Sequence, residues 1–172
     1  MKNWFYEQMA MYSAYHRDGR NQATHHVGVP MIVFSVLVIT STIPLVTTVE
    51  GPITVGAALM ALLVLFYIIA APLVGTIAAL LYGALSFGAA QIAAMGEGIP
   101  MKVFLTLFIV GWAIQFWGHK YEGRKPALFD NLLQIFMAPS FLIAEILFSL
   151  GLEEGLQAEI KSRMGKYLPK EG

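Results

Sequence analysis

No cysteine occurs in the chain, and only 13% of its 172 residues are charged. The lack of cysteine excludes disulfide bonds, thiolate metal sites and a cysteine nucleophile. Soluble domains carry roughly 25% charged residues, whereas here 57% of the residues are hydrophobic, so the sequence is short of the polar surface that a soluble domain needs. The formal net charge is zero, and no nucleic-acid partner is therefore expected.

Charge is missing from two long stretches, residues 21–49 and residues 51–96, and the second stretch is 46 residues long. A run of about 18 or more uncharged apolar residues is typical of a membrane-spanning helix, so the second stretch has room for two. The first 20 residues lack the basic start and apolar core of a signal peptide, which leaves targeting to the first span. The composition predicts an all-α, polytopic membrane helical bundle, the alternative being a very apolar soluble bundle.

The bundle is predicted to be one integral membrane domain of about four spans plus a re-entrant or interfacial fifth apolar segment. In chain order, residues 1–172 comprise an interfacial helix and histidine-containing turn (1–26), four spans (27–118), a polar loop (119–131), the fifth segment (132–151) and a charged tail (152–172). The predicted spans are Val27–Val49, Ile53–Ala71, Leu73–Met95 and Met101–Gly118. Tight turns are expected at 50–52 and 96–100, and Asn21 is expected to cap the first spanning helix. Pro139 and Glu145 interrupt the fifth segment, so it is not expected to cross completely.

The distribution of lysine and arginine predicts which helix ends face the cytoplasm. Apart from Lys102, at one end of the fourth span, these residues occur in the first 20 residues, in the 120–131 loop and in the tail, and the two tight turns contain none. Under the positive-inside rule, four crossings put the N-terminal segment and the 120–131 loop on the cytoplasmic side. We therefore predict a multi-pass protein of the endoplasmic reticulum or of a bacterial inner membrane, depending on the source, with all four histidines at its cytoplasmic edge.

Two groups of polar residues are expected at this edge. They are His16, Asn21 and His25, of which the last two are spaced i, i+4, and Gln115, His119 and Glu122, which share one helix face at i, i+4 and i+7. Neutral imidazoles are the commonest metal ligands. Imidazoles with a carboxylate and no thiolate suit iron(II), zinc, manganese or copper, and two histidines with one carboxylate suit oxygen-activating iron(II).

A competing interpretation treats these residues as ordinary features of a membrane edge. Histidines there are often solvated interface residues. Three basic residues, Lys120, Arg124 and Lys125, are equally explained as positive-inside charge or as binders of a carboxylate or lipid head group. His26 is the weakest ligand candidate, because adjacent helical residues point about 100° apart and His25 is already placed in the site.

Two motifs resemble the signatures of a known family. The first is Tyr15-His16 followed by Asn21-x-x-x-His25-x-x-Gly28-x-Pro30. The second is Trp112-x-x-Gln115-Phe116-x-Gly118-His119-x-x-Glu122-Gly123-Arg124-x-Pro126-Ala127-Leu128, continuing through Asp130-Asn131 and Ala138-Pro139. In this order and on a multi-span background, they are similar to the 2-hydroxy fatty acid dioxygenase family, whose fungal member acts in phytosphingosine breakdown at the endoplasmic reticulum.

The resemblance implies an iron(II)-dependent oxidoreductase, with Fe(2+) as cofactor, that performs α-oxidation. Its partners would be a 2-hydroxy fatty acid, dioxygen and membrane lipid, and the acid would be shortened by one carbon. The implied site residues are the metal ligands His16, His25 and His119, the supporting residues Asn21 and Gln115, and the catalytic groups Glu122 and Arg124. Arg124 or Lys125 would neutralise the substrate carboxylate. Glu122 would be a ligand, an acid/base group or a partner that orients His119.

Two other functions stay open at this point. One is another metal-dependent lipid hydroxylase or hydrolase of the same fold, and the other is a non-enzymatic lipid-binding membrane protein with structural histidines. The sequence leaves the oligomeric state and the chain length of the substrate open.

Overall fold

The computed structural model describes residues 1–49 and 51–168. These residues contain seven α-helices and one two-stranded hairpin. The helices are α1 (Lys2–Tyr15), α2 (Gly19–Thr40), α3 (Val55–Ala70), α4 (Pro72–Ala93), α5 (Ile99–Glu122), α6 (Ala138–Ser149) and α7 (Glu154–Met164), and the strands are β1 (Pro44–Thr48) and β2 (Gly51–Thr54). Short 3-10 helices lie at Ala127–Phe129, Leu132–Phe136 and Gly165–Tyr167. The predicted fold class, a helical bundle of the membrane type, is confirmed, with the small hairpin as its only departure within these residues.

The packing of α2 against α5 depends on glycine. A Cβ atom added at Gly118 would lie 2.0 Å from Thr24 Oγ1 and 2.6 Å from Asn21 Oδ1, and one added at Gly28 would lie 3.0 Å from the carbonyl oxygen of Gly111. Small residues let helix backbones approach closely inside a membrane. These glycines therefore bring the histidine-bearing ends of α2 and α5 into direct contact.

Within the described residues, α2, α4 and α5 are long and apolar enough to cross a membrane. The helix α3 is apolar but has 16 residues, which gives about 24 Å at 1.5 Å per residue against a bilayer core of about 30 Å. The four predicted spans thus correspond to three long helices and one short one, an arrangement compatible with a membrane bundle.

The cap predicted for the helix of the first span, Val27–Val49, is wrong. The helix begins at Gly19, and the carboxylate of Asp18, rather than Asn21, caps it by accepting the backbone N–H of Arg20 at 2.8 Å. Aspartate is among the preferred N-cap residues, and its position directly before the first turn lets it reach that amide.

The C-terminal end of the same predicted span is also wrong. The helix stops at Thr40, and residues 44–48 form β1, which pairs with β2 in antiparallel register. Pro44 has no amide N–H to donate inside a helix, and the β-branched residues after it favour extended backbone. Of the tight turn predicted at 50–52, Glu50 lies outside the described residues, and Gly51 and Pro52 begin β2.

The turn between α3 and α4 lies directly before Pro72. Pro72 occupies the first turn of α4, where its missing N–H leaves no helical hydrogen bond unmade. A Cβ atom at Gly75 would lie 2.2 Å from the backbone nitrogen of Ile68, so only glycine allows the two helices to meet this closely. The second predicted tight turn is also present, with Gly96 and Gly98 at φ values of 94° and 83°.

The helix α1 turns an apolar face toward protein. Phe5 and Met9 are fully buried, and the ring of Tyr12 contacts Phe141 of α6 at 4.7 Å between centroids. The helix α6 has 12 residues, about 18 Å in length, which is too short to cross the bilayer core. Most of its residues are buried in the core that it shares with α1 and α4.

The charged tail folds back onto α1. The helix α7 buries Leu156 and Ile160, and beyond them Arg163 Nη1 and Lys166 Nζ lie 3.8 Å and 2.6 Å from the carboxylate of Glu7. The tail therefore holds α1 against the end of the bundle, together with His16, which follows α1.

Candidate metal centre

Three histidines from separate parts of the chain meet where α2 begins and α5 ends. His16 follows α1, His25 lies in the second turn of α2, and His119 lies in the last turn of α5. The ring centroids are 4.4 Å apart for His16 and His25, and 5.0 Å and 5.1 Å from each of these to His119. All three side chains are buried, and one ring nitrogen from each lies within 4.8 Å of the others. The fold thus brings together all three histidines that the sequence selects as ligands.

Hydrogen bonds fix which nitrogens His16 and His25 present to each other. His16 Nδ1 lies 2.7 Å from the carbonyl oxygen of Tyr12, and His25 Nδ1 lies 2.9 Å from that of Asn21. A carbonyl oxygen only accepts, so each Nδ1 carries the proton and each Nε2 presents a lone pair. The two Nε2 atoms are 3.0 Å apart. Two lone pairs at this distance repel, and a cation shared by the two nitrogens satisfies both.

A proton between the two rings would make one of them a buried imidazolium. Burial, with a smaller contribution from nearby His25, lowers the pKa of His16 well below its usual value of 6.5, so the charged form is disfavoured. His119 supplies a third free donor, since its buried Nδ1 has no hydrogen-bond partner among the described residues. Nitrogens bound to one metal at about 2.1 Å lie about 3 Å apart when their bonds are near a right angle. The three neutral imidazoles therefore fit a divalent transition metal.

Glu122 lies almost one turn beyond His119, and its carboxylate is engaged by the turn between α1 and α2. It accepts the backbone N–H of Arg17 at 3.0 Å and 3.1 Å, the N–H of Asp18 at 2.9 Å and the side-chain amide of Asn21 at 3.1 Å. Among the described residues, the group whose donor atoms can share one metal does not include it. This geometry favours a positioning role, in which Glu122 ties the two histidine-bearing segments together, and a catalytic role stays a prediction.

The guanidinium of Arg124 contacts α1 and the tail rather than the histidines. Its Nη1 donates to the carbonyl oxygens of Ala14 at 3.3 Å and Tyr167 at 3.0 Å, and the group stacks over the ring of Tyr15 at 3.3 Å. Lys125 forms an exposed ion pair. Pairing of Arg124 or Lys125 with a substrate carboxylate, as the resemblance implies, therefore requires these side chains to leave their present partners.

Asn21 and Gln115, predicted as supporting residues, lie beside the histidines. Asn21 is fully buried; its backbone carbonyl oxygen accepts from His25 Nδ1, and its side-chain amide nitrogen donates to Glu122. Gln115 lies one turn before His119, and its Oε1 has no partner among the described residues. Burying an amide oxygen without a hydrogen bond costs free energy. A ligand bound at the histidines could donate the missing hydrogen bond to Gln115 Oε1.

A cavity of about 60 Å³ adjoins the three histidines, and its other walls are largely apolar. Its lining includes Trp112 and Gln134, which the sequence did not single out as site residues. Gln134 is 1% exposed, donates to Gln8 Oε1 at 2.7 Å, and leaves its own Oε1 without a partner in the described chain. It lies on a 3-10 helix far from the histidines in sequence, so no helical spacing links it to them. The one available signal was its position inside the second motif, shortly before Ala138.

His26 lies outside this cluster, in line with its angular offset from His25. Its Nδ1 is 2.9 Å from the carbonyl oxygen of Gln22, and its Nε2 is 4.0 Å from Glu145 Oε2. It lines a separate polar cavity of about 440 Å³ between α2, α6 and α7, which shares no lining residue with the cavity at the three histidines. His26 is thus adjacent to His25 in sequence but lines a different cavity.

Replacing Glu145 with glutamine is expected to raise the stability of the protein at neutral and higher pH. Burial raises the pKa of Glu145 from its usual 4.5 to about 8. Between these values the folded state keeps a proton that the unfolded state releases, so the contribution of Glu145 to stability falls as the pH rises through this window. The Tm of detergent-solubilised Glu145→Gln should therefore rise relative to that of the unaltered protein as the pH is increased from 5 to 8. A Tm difference that stays constant over this range would contradict the assignment.

Comparison with known proteins gives consistent matches over almost the whole chain. A family model described as "2-hydroxy-palmitic acid dioxygenase Mpo1-like" matches residues 2–150. The 2-hydroxy-palmitic acid dioxygenase MPO1 of Saccharomyces cerevisiae is 32% identical over 156 residues, which cover 90% of this chain and 86% of the yeast protein. No solved structure matches the chain. The range matched by the family model contains all three histidines of the cluster and Gln134.

Proposed function

We propose, because the chain belongs to the Mpo1-like family of 2-hydroxy-palmitic acid dioxygenases, that it is an iron(II)-dependent dioxygenase that shortens 2-hydroxy fatty acids by one carbon. The observation that carries the proposal is the buried set of three neutral histidines, two of which face each other with their lone pairs. The reaction is inferred from the family. The three imidazoles are a donor set of the kind that binds iron(II).

The reaction balances without a further reductant. The bond between the carboxyl carbon and the hydroxylated carbon breaks, and the carboxyl carbon leaves as carbon dioxide. The hydroxylated carbon is oxidised to the new carboxyl group. Dioxygen is the oxidant, so one 2-hydroxy acid and one dioxygen give the shorter acid, carbon dioxide and one water.

His16, His25 and His119 would hold the iron, which when bound supplies the redox chemistry that makes dioxygen reactive toward the substrate. The backbone carbonyl oxygens of Tyr12 and Asn21 keep the rings of His16 and His25 in the tautomer that exposes Nε2. Groups around a metal ligand usually have this role. All three donors are neutral imidazoles, so the donor set itself adds no negative charge that would repel an acidic substrate.

Gln115 and Gln134 are the groups best placed to orient the substrate. Both line the cavity, and each has a buried amide oxygen that lacks a partner among the described residues. An amide side chain can accept from a hydroxyl group and donate to a carboxylate. We therefore assign them to the 2-hydroxyl and carboxyl groups of the acid, while the apolar wall excludes bulk water from the reacting atoms.

The proposal includes a location, which rests on charge distribution. Lysine and arginine cluster in the segments that carry the histidines and are absent from the two tight turns predicted between the spans. Under the positive-inside rule the site then lies at the cytoplasmic edge of a multi-pass membrane protein.

The test is an assay of the purified protein with iron(II), dioxygen and 2-hydroxypalmitic acid labelled at the carboxyl carbon. We expect an acid one carbon shorter, release of the label as carbon dioxide, and uptake of one dioxygen per acid. Absence of a shortened product across several chain lengths would overturn the reaction. Zinc in the protein as purified, without dioxygen uptake, would instead indicate a hydrolase, and absence of any bound metal would indicate a non-enzymatic lipid-binding protein.

A further inference from the structure

The cavity at the histidines is too small for a fatty acid. Its volume of about 60 Å³ accommodates a few water molecules or a small polar group, whereas pockets that enclose ligands of moderate size measure about 300–1,000 Å³. If the proposed function holds, the carboxyl and hydroxyl groups fit there and the acyl tail has to leave. The question is which path the tail takes.

An apolar groove of about 520 Å³ continues from this cavity between α2 and α3. Ile32, Val33 and Ile135 line both spaces. From these shared residues the groove follows α2 past Val36 to Thr40, with leucines, Met60 and Phe66 of α3 on its other side. Its lining is almost entirely hydrocarbon, as a fatty acyl chain requires.

Two further cavities within the described residues offer no comparable path. The polar cavity at His26 and Glu145 shares no residue with the one at the histidines. A further cavity near Gly98 lies at the opposite ends of α2 and α5, and it also shares none.

The length of the groove matches the length of a long acyl chain. Thr40 lies 15 residues after His25, which is about 22 Å along a helix that rises 1.5 Å per residue. A zigzag chain of carbon–carbon bonds of about 1.52 Å advances about 1.25 Å per bond, so a sixteen-carbon acid extends about 19 Å. Such an acid with its carboxyl end at the histidines would place its methyl end near the end of α2.

The segment over the start of this path is fixed in place. The hydroxyl group of Tyr67 donates to the carbonyl oxygen of Phe136, and that of Tyr82 donates to the carbonyl oxygen of Pro139 at 3.3 Å. The 3-10 helix Leu132–Phe136 is thereby held beside α3, with Gln134 turned to the cavity and Ile135 shared with the groove.

We propose that the α2–α3 groove, from Ile32 and Ile135 to Thr40, binds the acyl tail of the substrate and sets the preferred chain length. The inference rests on the proposed function and adds the site of the tail to it. Val36 is the residue that decides length, because it lies 11 residues beyond His25, about 17 Å along the helix, and is 39% exposed on the groove wall.

The first test is Val36→Trp, assayed with 2-hydroxy acids of eight and sixteen carbons. A single methylene changes kcat/KM in an apolar pocket by about 10–200-fold, so we expect the larger indole to lower kcat/KM for the long acid at least about tenfold. The short acid, about 9 Å in extent, should be turned over as by the unaltered protein. The matched control is Leu80→Trp, which adds the same ring at an exposed position of α4 that lines none of these cavities. Equal loss for both acids, or for neither, would overturn the proposal.

The second test keeps the natural sequence and separates this inference from the function it rests on. A 2-hydroxypalmitic acid with a photoreactive diazirine at its methyl end is irradiated with the protein, and the labelled peptides are mapped. Labels on α2 and α3 between Val33 and Phe66 support the groove, even if no shortened acid is formed and the proposed reaction fails. Turnover with labels confined to α4, or spread evenly over lipid-facing residues as for a bulk lipid, would leave the reaction standing and overturn the groove.

Discussion

His25→Ala is expected to remove the bound metal and to lower turnover of a 2-hydroxy fatty acid by more than about a hundredfold. Loss of a group that merely supports a metal ligand costs about 10–100-fold in metal affinity or activity, and His25 is assigned as a ligand itself. His16→Ala and His119→Ala are expected to act in the same way, because the donor nitrogens of all three imidazoles lie close enough together to hold one metal ion. Metal content of the purified variants and their turnover are the measurements.

The matched control is His26→Ala, one residue away on the same helix. His26 belongs to the cavity at Glu145 and not to the three-histidine cluster, so this variant should keep its metal and its activity. Full metal content in each of the three cluster variants would refute the assignment of these histidines as ligands. Loss of folding, detected by gel filtration or circular dichroism, would be distinguished from loss of metal by comparing the variants with His26→Ala.

Gly118→Ala is expected to weaken both the fold and the metal centre. The added Cβ would lie 2.0 Å from Thr24 Oγ1 and 2.6 Å from Asn21 Oδ1, so α5 has to move away from α2. Inserting a methyl group into a tightly packed interior costs about 1–3 kcal/mol. Because His119 is the next residue and His25 lies on the opposing helix, the same movement should separate two ligands. We expect a lower Tm together with reduced metal content.

The matched control for this substitution is Gly83→Ala in α4. A Cβ at Gly83 meets no atom within 4 Å, and alanine is favoured over glycine inside a helix by about 1 kcal/mol, so the Tm should stay equal or rise. If Gly118→Ala behaved like Gly83→Ala, the close α2–α5 crossing would not be what positions the histidines.

Helical spacing explains why part of the centre was predictable. Asn21 and His25, and likewise Gln115 and His119, are i, i+4 pairs on single helices, and such pairs share a face whatever the surrounding fold. The long uncharged stretches predicted the apolar helices for a similar reason, since a bilayer excludes charge irrespective of packing. These features depend only on residues that are close in sequence.

Other features depended on contacts that sequence spacing does not encode. The assumption that the uncharged run after Val27 was one span failed because Pro44 and its β-branched neighbours pair with β2 instead. The spacing of Glu122 from His119 gave no sign that the turn before α2 supplies its hydrogen-bond donors, because that turn is more than 100 residues away in sequence. Gln134 was missed because a 3-10 helix distant in sequence carries it into the cavity.

The histidine-rich stretch that precedes the first long apolar helix shows the division most clearly. The sequence by itself determined that His16, His25 and His119 lie at one end of an apolar bundle, since charge placement and helical periodicity act locally. The tertiary structure alone decided that the two Nε2 atoms of His16 and His25 face each other at 3.0 Å and that His26 lines the cavity at Glu145. The physical reason is that this arrangement requires the close glycine contact of α5 with α2 and the backbone carbonyls that orient each ring.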